Sequence, residues 1–231
     1  MRRTALTLLG CFCCILALQA AAPKQKMAKF IRKEMDFAVL QSMRMYDSVK
    51  ELDGRLVNTT RHGVLETCDS GNWVAGFFPG TLWYLYEYTG DPAVRAAAER
   101  MTERMAPEQY NTSNHDVGFM VYCSYGNGLR LTGRDDYRQA VVNAGRSLST
   151  RFNPAVGCTR SWNPQPRKNR DFIVIVDNMM NLELLTVTSA LTADPQYLDM
   201  ARTHANTTIR NHFRPDYSSF HVVNYDGKTG A

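Results

Sequence analysis

Two aspartates stand where a carboxylate can do acid–base work. Asp116 lies in Asn114-His115-Asp116-Val117-Gly118-Phe119-Met120, a polar stretch that runs straight into an apolar segment, with an imidazole beside the carboxylate. Asp177 lies in Val174-Ile175-Val176-Asp177-Asn178-Met179-Met180-Asn181, between a β-branched run and another helical segment. Two carboxylates on one rim suit the chemistry of a glycosidic bond: one gives and takes protons, and the other stabilises positive charge or positions water. One of them must then hold its proton near neutral pH, which an apolar, aromatic setting favours. Tyr122, Tyr125 and Trp162 are the side chains that would supply that setting. For a single Asp at a helix start, capping is the commoner role, because the carboxylate accepts orphan backbone N–H groups and meets the positive end of the helix dipole. Two features weigh against capping here. Asp177 follows an apolar run, and both aspartates share a helix register with Trp73.

The neighbours of the pair have two readings each. His115 would tune Asp116 or bond a sugar hydroxyl, or simply be a satisfied loop histidine. His221, in Phe220-His221-Val222-Val223, has the same two readings. Trp73 and Trp162 would stack on a sugar ring or pack in a core. Asn178 and Asn181, one helical turn apart, would hold Asp177 in place. Asp69, Asp135, Asp136 and Asp194 fall in loops or at the starts of charged helices and read as caps. No phosphate loop, Cys/His metal cluster or G-x-S-x-G motif occurs, so neither a metal nor a cofactor is implied.

The elements that must position these residues repeat. Residues 24–50 have apolar positions at mostly helical spacing and read as one long helix, and the polar, Gly-containing residues 51–72 read as a loop. Gly76 to Tyr88 is apolar nearly all round, the pattern of a helix buried on most sides. It ends at Thr89-Gly90-Asp91-Pro92, and a charged amphipathic helix follows over about 92–106. The same pair recurs twice. An apolar helix over 116–131 ends at Thr132-Gly133-Arg134-Asp135 before an amphipathic helix to about Phe152. Another over 177–191 ends at Thr192-Ala193-Asp194-Pro195 before one to about Phe213. The spacing from Gly90 to Gly133 is 43 residues and from Gly133 to Ala193 is 60. The excess falls in residues 153–176, read as a loop with a short hairpin, and a further short strand is expected from Phe220 to Tyr225. Counting back 17, 17 and 16 residues from these joints reaches Trp73, Asp116 and Asp177. All three therefore belong at the start of an inner helix, on one rim of a solenoid or toroid of α-hairpins.

Composition bounds the rest. The chain has 231 residues, 44% of them hydrophobic, enough for one sizeable domain. Residues 1–22 read as a secretory signal, with Arg2-Arg3 as the charged region, Leu6 to Leu18 as the apolar run and Ala20-Ala21-Ala22 as the cleavage site. A lipoprotein signal around Leu8-Leu9-Gly10-Cys11 is the rival reading, and the apolar run past Cys11 argues against it. The mature domain is then residues 23–231, exported, with the periplasm as its expected place and no membrane span after the signal is removed. The formal charge is +5, of which the leader arginines supply 2, and no basic run is long enough for nucleic acid. The cysteines left are Cys68, Cys123 and Cys158, an odd number without metal or redox spacing, read as small buried hydrophobes with one optional disulfide. Sequons at Asn58, Asn111 and Asn206 decide nothing.

As a set, these motifs resemble the unsaturated glucuronyl hydrolases of glycoside hydrolase family 88. The matching stretches are Trp73 with Gly76-Phe77-Phe78-Pro79-Gly80, His115-Asp116-Val117-Gly118-Phe119, Ser124-Tyr125-Gly126-Asn127-Gly128, Ser161-Trp162, Val176 to Asn181, and His221, spread over most of residues 70–225. Family 105, the unsaturated rhamnogalacturonyl hydrolases, shares the fold and is the nearest confusion. The resemblance implies an all-α fold, an (α/α)6 toroid of six helical hairpins with short β-hairpin insertions. It also implies hydration of the C4=C5 enol ether of an unsaturated uronate at the non-reducing end of a lyase-generated oligosaccharide. Asp177 would then be the general acid/base and Asp116 its support. Trp73, His115, Trp162, His221 and Asn178 would line the sugar subsite, with no metal or cofactor.

The chain departs from that pattern in length. It shows about seven helices where a closed ring of six hairpins has about twelve, so a fragment or a truncated product is expected. Such an open ring would expose inner-helix faces and be poorly soluble and weakly active, and the later pocket residues would lie beyond Ala231. Two other classes remain open on the residues alone. A polysaccharide lyase on a similar toroid would rely on Tyr, His and Arg. A non-catalytic sugar-binding scaffold would need the tryptophans but tolerate Asp177→Asn.

Overall fold

A computed structural model describes residues 25–168 and 170–231; the expected leader, residues 1–22, lies outside the described residues. The chain divides into two compact units, Met1–Ser42 and Met43–Ala231. In the first, the described residues are the amino-terminal part of helix α1 (Gln25–Val49). The functional residues all belong to the second.

That second unit is built from the three expected hairpins. Helices α2 (Phe77–Thr89) and α3 (Pro92–Glu103) form the first pair. A π-helical segment (Gly118–Gly126) continuing into α4 (Asn127–Thr132) pairs with α5 (Asp135–Ser149). Helices α6 (Asn178–Thr192) and α7 (Pro195–His212) form the third pair. The joints are one local design used three times. Gly90, Gly133 and Ala193 each take a left-handed conformation, with φ of 66°, 68° and 57°. The threonine ahead of each closes both sides of the turn. Thr89, Thr132 and Thr192 donate from Oγ1 to the carbonyl four residues back at 2.8, 2.6 and 2.7 Å. The same oxygens lie 3.1, 3.4 and 3.3 Å from the backbone N–H two residues ahead. Asp91 and Asp194 then cap the outer helices from N–H groups of Ala93 and Gln196, each with proline at the first helical position.

The inner helices approach closely because glycine stands where they meet. A Cβ on Gly76 would collide with the carbonyl oxygens of Phe119 and Met120, and one on Gly118 would lie 2.8 Å from Asn181 Cα. The principal core lies between inner and outer layers. It includes Leu82, Trp83, Met101, Met120, Tyr137, Leu148, Leu184 and Leu185, all inaccessible to solvent. Within it, Trp83 Nε1 donates to Thr102 Oγ1 at 2.8 Å, which removes the one polar liability of the indole.

Three expectations are corrected. Residues 51–72 contain a hairpin, β1 (Leu56–Arg61) with β2 (Val64–Cys68). His62 and Gly63 both have positive φ, 50° and 78°, as a two-residue hairpin turn requires. The run Ile173 to Val176 meets a local partner only at Ile173, which bridges to Trp162, and otherwise pairs with a distant strand. A small hairpin, β3 (Phe152–Asn153) with β4 (Cys158–Thr159), precedes it, and β5 (Phe172–Ile175) pairs antiparallel with β6 (Val222–Tyr225). The helix expected from 116 begins at Gly118, and its first nine residues are π-helical rather than α-helical. The three mature cysteines are free thiols, with Cys68 and Cys158 buried.

Candidate active site

Asp116 ends the loop that leads into the π-helical segment. Asn114 Oδ1 accepts the Asp116 N–H at 2.7 Å and shapes the turn. The Asp116 side chain is 15% exposed, with His115 Nε2 at 3.4 Å from its Oδ1. Asp177 stands one residue before α6, partly buried, and its Oδ1 is enclosed without a hydrogen-bond partner. Asp177 holds the cap position of α6 without a side-chain cap hydrogen bond, and the cap position of the π-helical segment is Val117, one residue after Asp116. The commoner role for an Asp at a helix start is therefore unfilled at Asp177, and Asp116 stands one position ahead of the cap.

The electrostatics join the two. Burial, and then the negative charge of Asp177, push the Asp116 carboxyl up to about 6 against the opposing charge of Arg151. Burial also raises Asp177, while His221 and the backbone N–H groups of Asp177 and Asn178 pull it part of the way back. Poor hydration and the Asp177 charge therefore keep the proton on Asp116 over a range where ordinary carboxylates have lost theirs. Tyr125, one of the aromatic residues expected to create this setting, does not. Tyr125 packs edge-on against Tyr137 in the core, with centroids 5.0 Å apart. Desolvation raises both carboxyls, and the Asp177 charge raises Asp116 further.

The predicted neighbours sort into two groups. Trp73 is 52% exposed and forms an aromatic ledge with Phe77 and Phe119, at centroid distances of 5.9 and 6.1 Å. Trp162 is 37% exposed and bridges to Ile173, in the strand that leads into Asp177. His221 is exposed, and its carbonyl accepts the Val176 N–H at 2.9 Å. The β5–β6 pairing thus brings His221 next to Asp177 from 44 residues away in sequence. These three side chains are accessible beside the acid pair.

His115 and Asn178 are not accessible. His115 is buried, and burial with the Arg151 charge lowers its pKa to about 4, so beside Asp116 it is a neutral ring and not an ion-pair partner. Asn178 is fully enclosed and donates to the Thr159 carbonyl at 2.8 Å. Its Oδ1 acts on His115 as an acceptor that favours the protonated ring, but the two make no hydrogen bond of good geometry. Asn181 is buried as well, and its Oδ1 accepts the Phe119 N–H at 2.9 Å. The expectation that Asn178 lines the sugar subsite is corrected by its enclosure, and neither asparagine bonds the Asp177 carboxylate directly. Asn178 ties the start of α6 to β4, and Asn181 satisfies an orphan N–H at the start of the neighbouring inner helix.

Sequence reasoning missed Arg151. It follows α5, is 4% exposed, and donates to the carbonyls of Arg160, Thr112 and Ser161 at 2.8, 2.7 and 3.0 Å. Burial and the nearby Arg160 lower it to about 10, and it remains a cation facing Asp116. Nothing in the local sequence marks it, because its partners come from two separate segments, one at Thr112 and one at Arg160 and Ser161. Beside the pair, the inner helices enclose a groove of about 430 Å³ lined by Phe77, Phe119, Tyr122, Met179, Met180 and Glu183. The aspartates lie outside that apolar groove. Among the described residues, no group of three His, Cys, Asp or Glu side chains is arranged to hold a metal ion, and no helix is long and apolar enough to cross a membrane.

No family model matches the chain. Individual proteins do. An unsaturated glucuronyl hydrolase of Formosa agariphila is 43% identical over 169 residues, covering 73% of this chain and 42% of the relative. The crystal structure of an unsaturated glucuronyl hydrolase specific for heparin superposes with a TM-score of 0.83 and 41% identity, over 88% of this chain and 54% of that one. Its homologues are unsaturated glucuronyl hydrolases. A further solved structure, of a variant with dGlcA-Glc-Rha-Glc, matches with a TM-score of 0.74 and 27% identity over 84% of this chain and 52% of that one. These glucuronyl hydrolases have the α/α-toroid fold, and the present helices, with only small antiparallel strand pairs beside them, are an incomplete part of it. The chain spans about half the length of the curated relatives it matches.

Proposed function

We propose that the protein carries the acid pair of an unsaturated glucuronyl hydrolase, which releases a Δ4,5-unsaturated uronic acid from the non-reducing end of lyase-generated oligosaccharides. The observation that carries this reading is the pair of partly buried aspartates at two inner-helix starts, both raised from the ordinary carboxylate value by burial, with the charge of Asp177 raising Asp116 further. A carboxyl that holds its proton more tightly than usual, as burial makes Asp177 do, is suited to protonate a carbon of an enol ether.

In this mechanism Asp177 delivers a proton to C4 and receives one from the water that adds to C5. Asp116 stabilises the positive charge that develops between C5 and the ring oxygen. Hydration replaces the C4=C5 double bond with a C4–H and a C5–OH bond, and so makes a hemiketal. The hemiketal opens by breaking the bond from C5 to the ring oxygen. C1 is then a hemiacetal, and its collapse releases the next sugar. One water is consumed and no net proton. Trp73 and Trp162 offer faces on which the sugar stacks, and His221 donates to it beside Asp177. We also propose that residues 1–22 direct export, with the periplasm as destination, on the strength of Arg2-Arg3 and the apolar run that follows.

The test is optical. The enol-ether uronate absorbs in the ultraviolet and its hydrate does not. The protein should erase the absorbance of lyase-generated disaccharides, and Asp177→Asn should slow this by about 10²- to 10⁴-fold. Unchanged absorbance across all uronate types, or an Asp177→Asn variant at full rate, would sink the proposal. A rise in absorbance on intact polymer would identify a lyase instead.

A further inference from the structure

The Asp177 carboxylate makes no cap and its Oδ1 has no partner; the groups that favour its charge are the backbone N–H of Asp177 and Asn178. Its place is set by the backbone on either side, and both sides are tied to one short segment. Ile175 N–H donates to Ser161 Oγ at 2.9 Å, and Asn178 Nδ2 donates to the Thr159 carbonyl at 2.8 Å. Ser161, Thr159 and Asn178 are all fully enclosed.

The segment from Thr159 to Ser161 is anchored in turn from the outer layer. His204, on α7, is inaccessible to solvent, and its Nδ1 accepts the Thr159 N–H at 2.9 Å. An acceptor at Nδ1 is a neutral ring with its proton on Nε2. Burial, with help from His212 and His115, keeps the ring neutral by lowering its pKa to about 3. We propose that His204 is a positioning residue for the reaction: its Nδ1 fixes β4, β4 fixes the start of α6 through Asn178, and Asp177 is thereby held against its partner carboxylate. The inference rests on Asp177 being the acid, as proposed above.

Two substitutions separate the acceptor atom from the bulk of the ring. His204→Leu keeps the volume and deletes the acceptor, whereas His204→Asn restores an oxygen close to the Nδ1 position. The leucine variant should lose about 10- to 100-fold in kcat with KM little changed, the size of effect expected when a reacting group is displaced from a distance. The asparagine variant should recover most of that loss. In 15N-labelled protein, the His204 ring should show a bare Nδ1 and a protonated Nε2 throughout the neutral pH range. Full turnover in His204→Leu, equal losses in both variants, or a proton on Nδ1 would overturn the proposal. If the wild-type protein leaves the disaccharide untouched, the functional reading fails. The ring tautomer, and a changed Asp177 carboxyl titration in His204→Leu seen by 13C NMR, then still decide what His204 does.

Discussion

Asp116→Asn should abolish turnover and, at neutral pH, make the protein more stable. The folded protein holds the Asp116 carboxyl at about 6 against an ordinary 3.8, through burial first and the Asp177 charge second. The gap of about 2 units corresponds to about 3 kcal/mol, at 1.36 kcal/mol per unit. In the unfolded chain the proton leaves near 3.8, and in the folded protein only near 6. The stability this group contributes is therefore complete below the lower value and is lost as pH rises through the upper one. At pH 7 the wild-type fold carries an ionised carboxylate in a place that disfavours it. Asparagine has nearly the same shape and no charge to place there. Because the side chain is mostly enclosed, solvent screening takes little from that figure. Urea denaturation at pH 7 should show the variant more stable by up to about 3 kcal/mol, and heating should show a Tm higher by about 6–12 °C for a chain of this size. At pH 4 the two proteins should agree within about 0.5 kcal/mol. Combining the change with Asp177→Asn should shrink the gain at pH 7, because one of its two causes is then gone. A stability difference of the same size at pH 4 and pH 7 would refute the reasoning, since an uncharged packing effect does not titrate.

Asn181→Ala should destabilise the fold by about 2–4 kcal/mol in urea titrations, from the buried Phe119 N–H left without its acceptor together with the cavity; the exposed Arg202→Ala, as a control, should stay within about 0.5 kcal/mol. Arg151→Gln should move the Asp116 titration above about 6, because the guanidinium is the charge that holds it down, and 13C-labelled aspartate would show the direction; a downward shift would remove Arg151 from the site.

The repeating hairpins were legible because their joints are local. Thr-Gly-Asp-Pro sets a left-handed residue, a cap and a fixed proline φ within four positions, Thr-Ala-Asp-Pro does the same, and Thr-Gly-Arg-Asp keeps the left-handed residue without the proline or the side-chain cap. That regularity gave the register that placed Trp73, Asp116 and Asp177 together. The hairpin at residues 56–68 was not legible, because its strands are rich in Thr, Asn and Arg and its turn is an unremarked His62-Gly63. The partner of Ile173 to Ile175 was hidden for a different reason: Val222 to Tyr225 is remote in sequence, and strand pairing has no local signature at that distance.

Residue type and spacing, then, determined which side chains can do acid–base chemistry and which helix starts they share, since both follow from contacts within a few residues. The tertiary structure decided how each of those side chains is used. Asp177 makes no side-chain cap, Asp116 stands one residue ahead of the cap position, His115 is neutral and enclosed, and Asn178 and Asn181 bind backbone instead of sugar. Arg151 and His204 reach the pair only because loops and an outer helix close around it. Burial raises both carboxyls and the Asp177 charge raises Asp116 further, and these effects depend on elements brought together across tens of residues, which no local pattern records.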